Sequence, residues 1–311
     1  MKIAYIITAY TDPTQLRRLV DALHSPSGCT DFYIHIDLKV NITPFTTTMK
    51  GCNANIFWCK NRYRINWGSM NQVYSSYELL RMIFEETKRK YDRIICLSGT
   101  DYPLSSNREI IRKASLHADI EWIGGYNLTK SKDDRQKRKV YDYHFFRDLN
   151  APLKIKRAIC FSSRIIMHLL PFKKPMSFTG SQGQIYDVYT GSDYWGITYS
   201  CAEFVFKTMK KDKKLMDYFK YSYIPSELVV NTIIFNSGFR DKCIIHIKND
   251  YYPGLEALTP LQHICYKNAI KIYSLKDWEE LMSTDRMFFR KSKTGISDTL
   301  IEKLEKEIRS K

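Results

Sequence analysis

CLSGTDYPLSSNREI, from Cys96 to Ile110, leaves an apolar run and enters a helical pattern within a few residues. Ahead of it stands RIICL, a strand by composition, and it ends in NREIIRKA, a helix by spacing. Asp101 lies just past the strand, between Gly99 and Pro103. Taken alone the corner is a turn: Gly admits positive φ, Asp bonds its own backbone, and Pro ends the strand. It is equally the edge of a ligand site, because open α/β sheets bind ligands outside the carboxyl ends of their strands.

Outward from this corner the same alternation repeats. KIAYIITAY is a near-continuous apolar run, as in a strand buried on both faces. Behind Asp12-Pro13, Leu16, Leu19, Val20 and Leu23 recur at helical spacing. DFYIHIDLK and NIFWCK read as strands, and NQVYSSYELLRMIFEETKRK reads as a long amphipathic helix with a basic end. Strand and helix alternate through residue 115, which predicts an α/β fold with a mostly parallel central sheet flanked by helices. Residues 116–296 lose that rhythm, and 297–311 form an amphipathic helix with Leu300, Ile301, Leu304 and Ile308 on one face. With no repeat or linker, 1–311 is expected to be a single domain.

The chain of 311 residues carries 49 basic and 33 acidic side chains, a net charge of +16 that favours an anionic partner. No run approaches a membrane span, and no secretory signal pattern is present. The eight cysteines are scattered, with no C-x-x-C pair, as in a reduced cytosolic protein. Residues 149–175 combine apolar side chains with Lys154, Lys156, Arg157, Arg164, Lys173 and Lys174. That mixture fits either an interfacial patch on an anionic membrane or a partly buried helix with a basic outer face. Phosphate-binding loops, metalloprotease and serine-hydrolase signatures are absent, as is the D-x-D that holds a metal in many sugar transferases. Asp119-Ile120-Glu121 and Asp277-Trp278-Glu279 are its nearest approximations.

Six motifs occur in order: IHIDLK (His35, Asp37, Lys39), INWGS (Trp67), LSGTDYPLSSNREI (Asp101), GSDYWGIT (Trp195), YIPSE (Glu227) and FFRK (Arg290, Lys291). Together they resemble the core-2/I-branching β-1,6-N-acetylglucosaminyltransferases and the related peptide O-xylosyltransferases. The resemblance implies a GT-A-like fold and inverting, metal-independent transfer from a UDP-sugar to a glycan acceptor, with no cofactor. UDP-N-acetylglucosamine is the expected donor and UDP-xylose the alternative. It implies that Glu227 is the general base and that Lys291, with Arg290 beside it, holds the pyrophosphate. The family's second phosphate-binding Arg falls on Asn268, where Lys267 is the expected substitute and Lys271 stands near. Asp37 and Asp101 are expected on the donor side; Lys132, Arg135 and Trp195 are expected on the acceptor side. His35 reads as a satisfied core residue, and Ser226, where the family has Asp, reads as a cap. The expectation is a cytoplasmic, bacterial-type member peripheral to the inner membrane, acting on lipid-linked precursors of surface polysaccharide. A catalytically inactive glycan-binding relative and a nucleic-acid-binding protein are the alternatives; no nucleic-acid motif is present.

Overall fold

The computed structural model describes residues 1–170, 172–266 and 269–309, and its centre is an eight-stranded sheet. Four parallel strands make one half: β1 (Ile3–Ala9), β2 (Thr30–Ile36), β3 (Asn55–Trp58) and β4 (Arg93–Ser98), with β1 between β2 and β4. Every residue of β2 and β4 is buried, which is why their apolar residues cluster (Phe32-Tyr33-Ile34, Ile94-Ile95-Cys96-Leu97) rather than alternate. Beyond β4 the order continues through the short antiparallel strand Gly196–Thr198 to Glu121–Asn127 and Cys243–Ile247, with Tyr189–Gly191 pairing off the path.

Helices cover both faces. Leu16, Leu19, Val20 and Leu23 of helix Pro13–Leu23 are fully buried in one cluster with Ile3, Tyr5 and Phe32. On the other face, helices Met70–Arg81, Tyr199–Lys211 and Val229–Phe235 share a cluster with Tyr33 and Trp195. Leu300, Ile301 and Leu304 of the C-terminal helix Asp298–Leu304 close a third cluster over Tyr102 and Phe289.

The corner after β4 joins two sheets. The chain turns through Gly99, where an added Cβ would meet the Cβ of Ala9 at 2.6 Å, so only Gly allows the strands this close. It then runs as β5 (Asp101–Pro103) beside Phe288–Arg290, which pairs in turn with Gln262–Ile264. That antiparallel register sets Asp101 opposite Arg290. Asp101 has no exposed surface; it accepts from the Ser98 amide (2.9 Å), Gln262 Nε2 (3.3 Å) and Arg290 Nη1 (3.2 Å). The turn and the strand end are therefore one structure, stapled to a segment nearly two hundred residues away.

Three further segments take shapes that the sequence pattern leaves open or misplaces. Residues 130–139, the charge run KSKDDRQKRK, lead into a helix, Asp134–Tyr141, started by the Asp133 side chain accepting from the Gln136 amide at 3.1 Å. Ser226, read as a helix cap, instead sits inside a 3₁₀ turn, Pro225–Glu227, reached through Ile224 at φ 54° and followed by the separate helix Val229–Phe235. Residues 149–175 hold helix Leu153–Leu169, none of whose residues is fully buried: Lys156, Ile159, Cys160, Ser163 and Met167 form a half-buried face, while Lys154, Arg157 and Arg164 are exposed, so a partly buried helix with a basic outer side is what forms.

Replacing Asp101 with Asn should leave a guanidinium only 11% exposed without its ion-pair partner, with Asp193 as the remaining carboxylate in its field. Urea unfolding is expected to show a loss of about 3–5 kcal/mol, partly recovered by adding Arg290→Met. A loss below about 1 kcal/mol, inside the range of surface pairs, would contradict a structural role for this pair.

Candidate active site

The carboxyl ends of β1, β2 and β4 open into one cleft of about 1710 Å³, with Tyr10, Asp37 and Ser98 on its floor. This is where a parallel sheet leaves backbone and side chains free to meet a ligand. Asp37 is 3% exposed; its carboxylate accepts from the Lys39 amide at 2.8 Å and lies 3.4 Å from Lys39 Nζ. His35, two residues back, is buried, and its Nε2 accepts from the Tyr63 amide at 2.9 Å. Burial pushes its pKa down to about 4, so it stays neutral and structural.

Glu227 stands on the 3₁₀ turn and lines the cleft. Burial pushes its carboxyl up to about 7, with Asp193 adding to the rise and Lys139 opposing it. Lys139, from helix Asp134–Tyr141, places Nζ 3.4 Å from Glu227 Oε2 and lies over the Tyr252 ring. A carboxyl poised near neutrality can accept a proton and still be ionised enough to do so. Asp193 is itself raised by burial and accepts from Gln72 Nε2 at 2.7 Å.

Two cations close another part of the wall. Arg290 is held by Asp101 from behind, and its guanidinium sits 4.2 Å from the centroid of the Tyr194 ring. Lys291 is half-buried, and burial plus the neighbouring Arg290 lower its pKa. Its ammonium makes no ion pair or hydrogen bond among the described residues. An unpaired, partly desolvated ammonium next to a fixed guanidinium is a ready anion site, and Arg suits phosphate oxygens through its planar fork.

Trp67 is the most exposed aromatic ring among the described cleft residues, at 61%, set edge-on to Tyr223 with centroids 5.3 Å apart. Arg147 stacks over Tyr223 at 4.9 Å and donates to the Trp67 carbonyl at 2.6 Å. Of the residues expected at a site, Asp37, Arg135, Glu227, Arg290 and Lys291 line this one cleft. Asp101 does not reach it; it acts through Arg290. Lys132 points to the surface, paired with Asp250 at 2.8 Å. Trp195 is 2% exposed within the core and has no free face for a sugar. Lys267 and Asn268 lie outside the described residues, and Lys271 is committed to Asp277 (2.7 Å) and Glu280 (2.6 Å).

The two D-x-E segments are also committed. Glu121 is buried and accepts from the Thr198 amide (2.7 Å) and hydroxyl (2.6 Å), and Asp277 caps Ser274 and pairs with Lys271. Among the described residues no group of three or more His, Cys, Asp or Glu side chains is gathered to hold a metal. Sequence reasoning missed Lys139, Asp193, Tyr194 and Arg147. Lys139 is one of several cations in a charge run, and only the helix phase singles it out.

Residues 3–250 match the family described as Core-2/I-Branching enzyme. The human beta-1,3-galactosyl-O-glycosyl-glycoprotein beta-1,6-N-acetylglucosaminyltransferase is 23% identical over 74% of this chain and 48% of that protein. Xylosyltransferase sqv-6 of Caenorhabditis elegans is 22% identical over 74% of this chain and 26% of that protein. The chain spans about half or less of the length of these relatives. Among solved structures, mouse xyloside xylosyltransferase 1 aligns over 78% of this chain and 84% of its own, at 11% identity and a TM-score of 0.31.

Glu227 gives a signed expectation for stability. Its folded pKa is raised from its ordinary 4.5 to about 7, so the folded state holds the extra proton between those values and stability falls as pH rises through that window. Glu227→Gln should therefore unfold later than the parent at pH 8, by on the order of 1–3 kcal/mol, with the gap closing below pH ~4.5. Thermal unfolding at the two pH values checks this, and a less stable variant at pH 8 would contradict it.

Proposed function

Because the chain belongs to the core-2/I-branching enzyme family, we propose that it transfers a sugar from a UDP-sugar to a glycan hydroxyl by a single, inverting, metal-independent displacement. N-acetylglucosamine is the proposed sugar, with xylose as the alternative that the xylosyltransferase relative supports. The observation that carries this reading is one cleft holding a carboxyl tuned to about 7 and two adjacent cations, Arg290 and Lys291. Base and anion site are the two things such a transfer requires.

In the proposed reaction the nucleoside lies over the strand ends beside Asp37, and the pyrophosphate meets Arg290 and Lys291. The acceptor packs on the Trp67 and Tyr223 rings, within reach of Arg135. Glu227 takes the proton from the acceptor hydroxyl. That oxygen forms its bond to the anomeric carbon as the bond from carbon to the phosphate oxygen breaks, and UDP leaves with the electron pair. Fixed cations stabilise the growing charge without reorganising, which is why Asp101 matters although it touches no substrate. Lys139 keeps Glu227 from rising further, so the base remains available near neutrality. The eight unpaired cysteines support a reducing compartment, and we place the reaction in the cytoplasm, at a membrane that carries the acceptor.

UDP release from a panel of UDP-sugars in excess EDTA tests the proposal. Turnover with one donor is expected, reduced about 10²-fold or more in Glu227→Gln. Dependence on added metal would overturn the mechanism. The acid limb of kcat/KM should fall near pH ~7, and Lys139→Met should move it upward, because that variant removes the charge favouring the ionised base. A limb unmoved by Lys139→Met would show that another group sets it.

A further inference from the structure

Helix Leu153–Leu169 runs along the mouth of the cleft, and no residue on it is buried. Ile159, Cys160 and Met167 give it a half-buried face, and the other apolar side chains are turned outward: Ile155 is 54% exposed, Phe161 56%, Ile165 44%, Ile166 54% and Leu169 77%. Taken with Ala158 they follow one another at separations of three, three, four, one and three residues, so they form one stripe along the helix rather than scattered spots. Phe172, just beyond, adds another exposed ring at 69%. A stripe of this size with no cover is not the ordinary apolar scatter of a soluble surface.

Charge says what covers it. No Asp or Glu occurs between Asp148 and Asp187, whereas Lys154, Arg157 and Arg164 lie on the exposed side of the helix. Arg157, Arg164 and His168 border the stripe on the side facing the cleft, and Arg164 lies over the Phe161 ring. A second copy of this chain is a poor occupant, since pairing two such faces would bring like charges together with no acid to answer them. An acidic protein would answer the charge, yet the stripe is continuous along the helix and its cations are long Lys and Arg side chains that can reach a headgroup layer beside it, which suits insertion into a layer better. No described helix is long and apolar enough to cross a bilayer, so this one lies in the plane of the surface.

We propose that helix Leu153–Leu169 is an interfacial helix that docks the mouth of the cleft on an anionic lipid bilayer, apolar stripe inserted and cations at the phosphates. Resting on the sugar-transfer reading, the same geometry names the acceptor class. Arg157, Phe161, Arg164, Ile165, His168 and Leu169 belong to both helix and cleft wall, so the acceptor reaches Glu227 from the membrane surface, as a lipid-anchored glycan. Arg147, Tyr223 and Trp67 then meet the first sugars that project from the bilayer.

Sedimentation of the full chain with vesicles of phosphatidylcholine alone, or mixed with phosphatidylglycerol, is the test. Binding is expected only with the anionic lipid, weakening as salt rises. Ile155→Ser/Ile166→Ser, at positions outside the cleft wall, should lower partitioning about tenfold or more, with an unchanged unfolding midpoint because both side chains are exposed. Lys154→Glu should lower it several-fold. No binding to anionic vesicles, equal binding by the variants, or a dimer that the double variant abolishes would overturn the proposal. The assay needs no donor sugar. A chain that binds vesicles but never releases UDP therefore refutes the reading of the site alone, and one that releases UDP without binding vesicles refutes the docking alone.

Discussion

The ion pair between Asp101 and Arg290 is the constraint on which the cleft depends. It joins the corner after β4 to a strand near the chain's other end, in a register that sets the two residues opposite each other. A buried carboxylate is costly unless donors surround it, and Asp101 has the Ser98 amide, Gln262 and Arg290. The pair adds little to stability beyond what an apolar core would give. What it adds is position: Arg290 is fixed against Tyr194, and Lys291 follows it into the cleft. The aspartate that looked like either a turn or a ligand site is neither alone, since it builds the turn and holds the ligand site from behind.

At the opposite wall the balance is electrostatic. Burial and Asp193 push the Glu227 carboxyl toward its neutral form, and Lys139 pulls it back. Neither influence alone gives a useful base. A fully solvated Glu is too weak to take a proton from a hydroxyl, and an unopposed buried one would stay protonated. The 3₁₀ turn contributes here. By breaking the helix after Glu227 and starting a new one at Val229, it keeps Glu227 on the cleft while the apolar residues that follow enter the core.

Much of this was legible in the sequence, for identifiable reasons. Runs such as KIAYIITAY and RIICLS carry the signature of strands buried on both faces, so the parallel sheet could be read directly. Glu227, Arg290, Lys291 and Asp37 sit in ordered motifs and meet in one cleft. Trp195 misled because a motif position does not say which way a ring points: it sits in the core, whereas the ring of Trp67 is open on the cleft. Lys132 and Lys139 stand seven residues apart in one charge run, yet one salts out to Asp250 and the other reaches Glu227. Which does which follows from where helix Asp134–Tyr141 begins, and that is set by the Asp133 cap and by packing from distant segments.

Helix Leu153–Leu169 carries both the exposed apolar stripe and part of the cleft wall, so the proposed docking and the proposed transfer share one surface. The account's central claim, however, is the single displacement driven from Glu227 against a fixed cationic wall. The configuration of the new glycosidic bond, read by NMR coupling at the transferred sugar's anomeric proton, tests it most directly. From an α-linked UDP-sugar the account predicts a β-linked product. An α-linked product would mean retention, and a cleft with one base and one in-line displacement could not produce it.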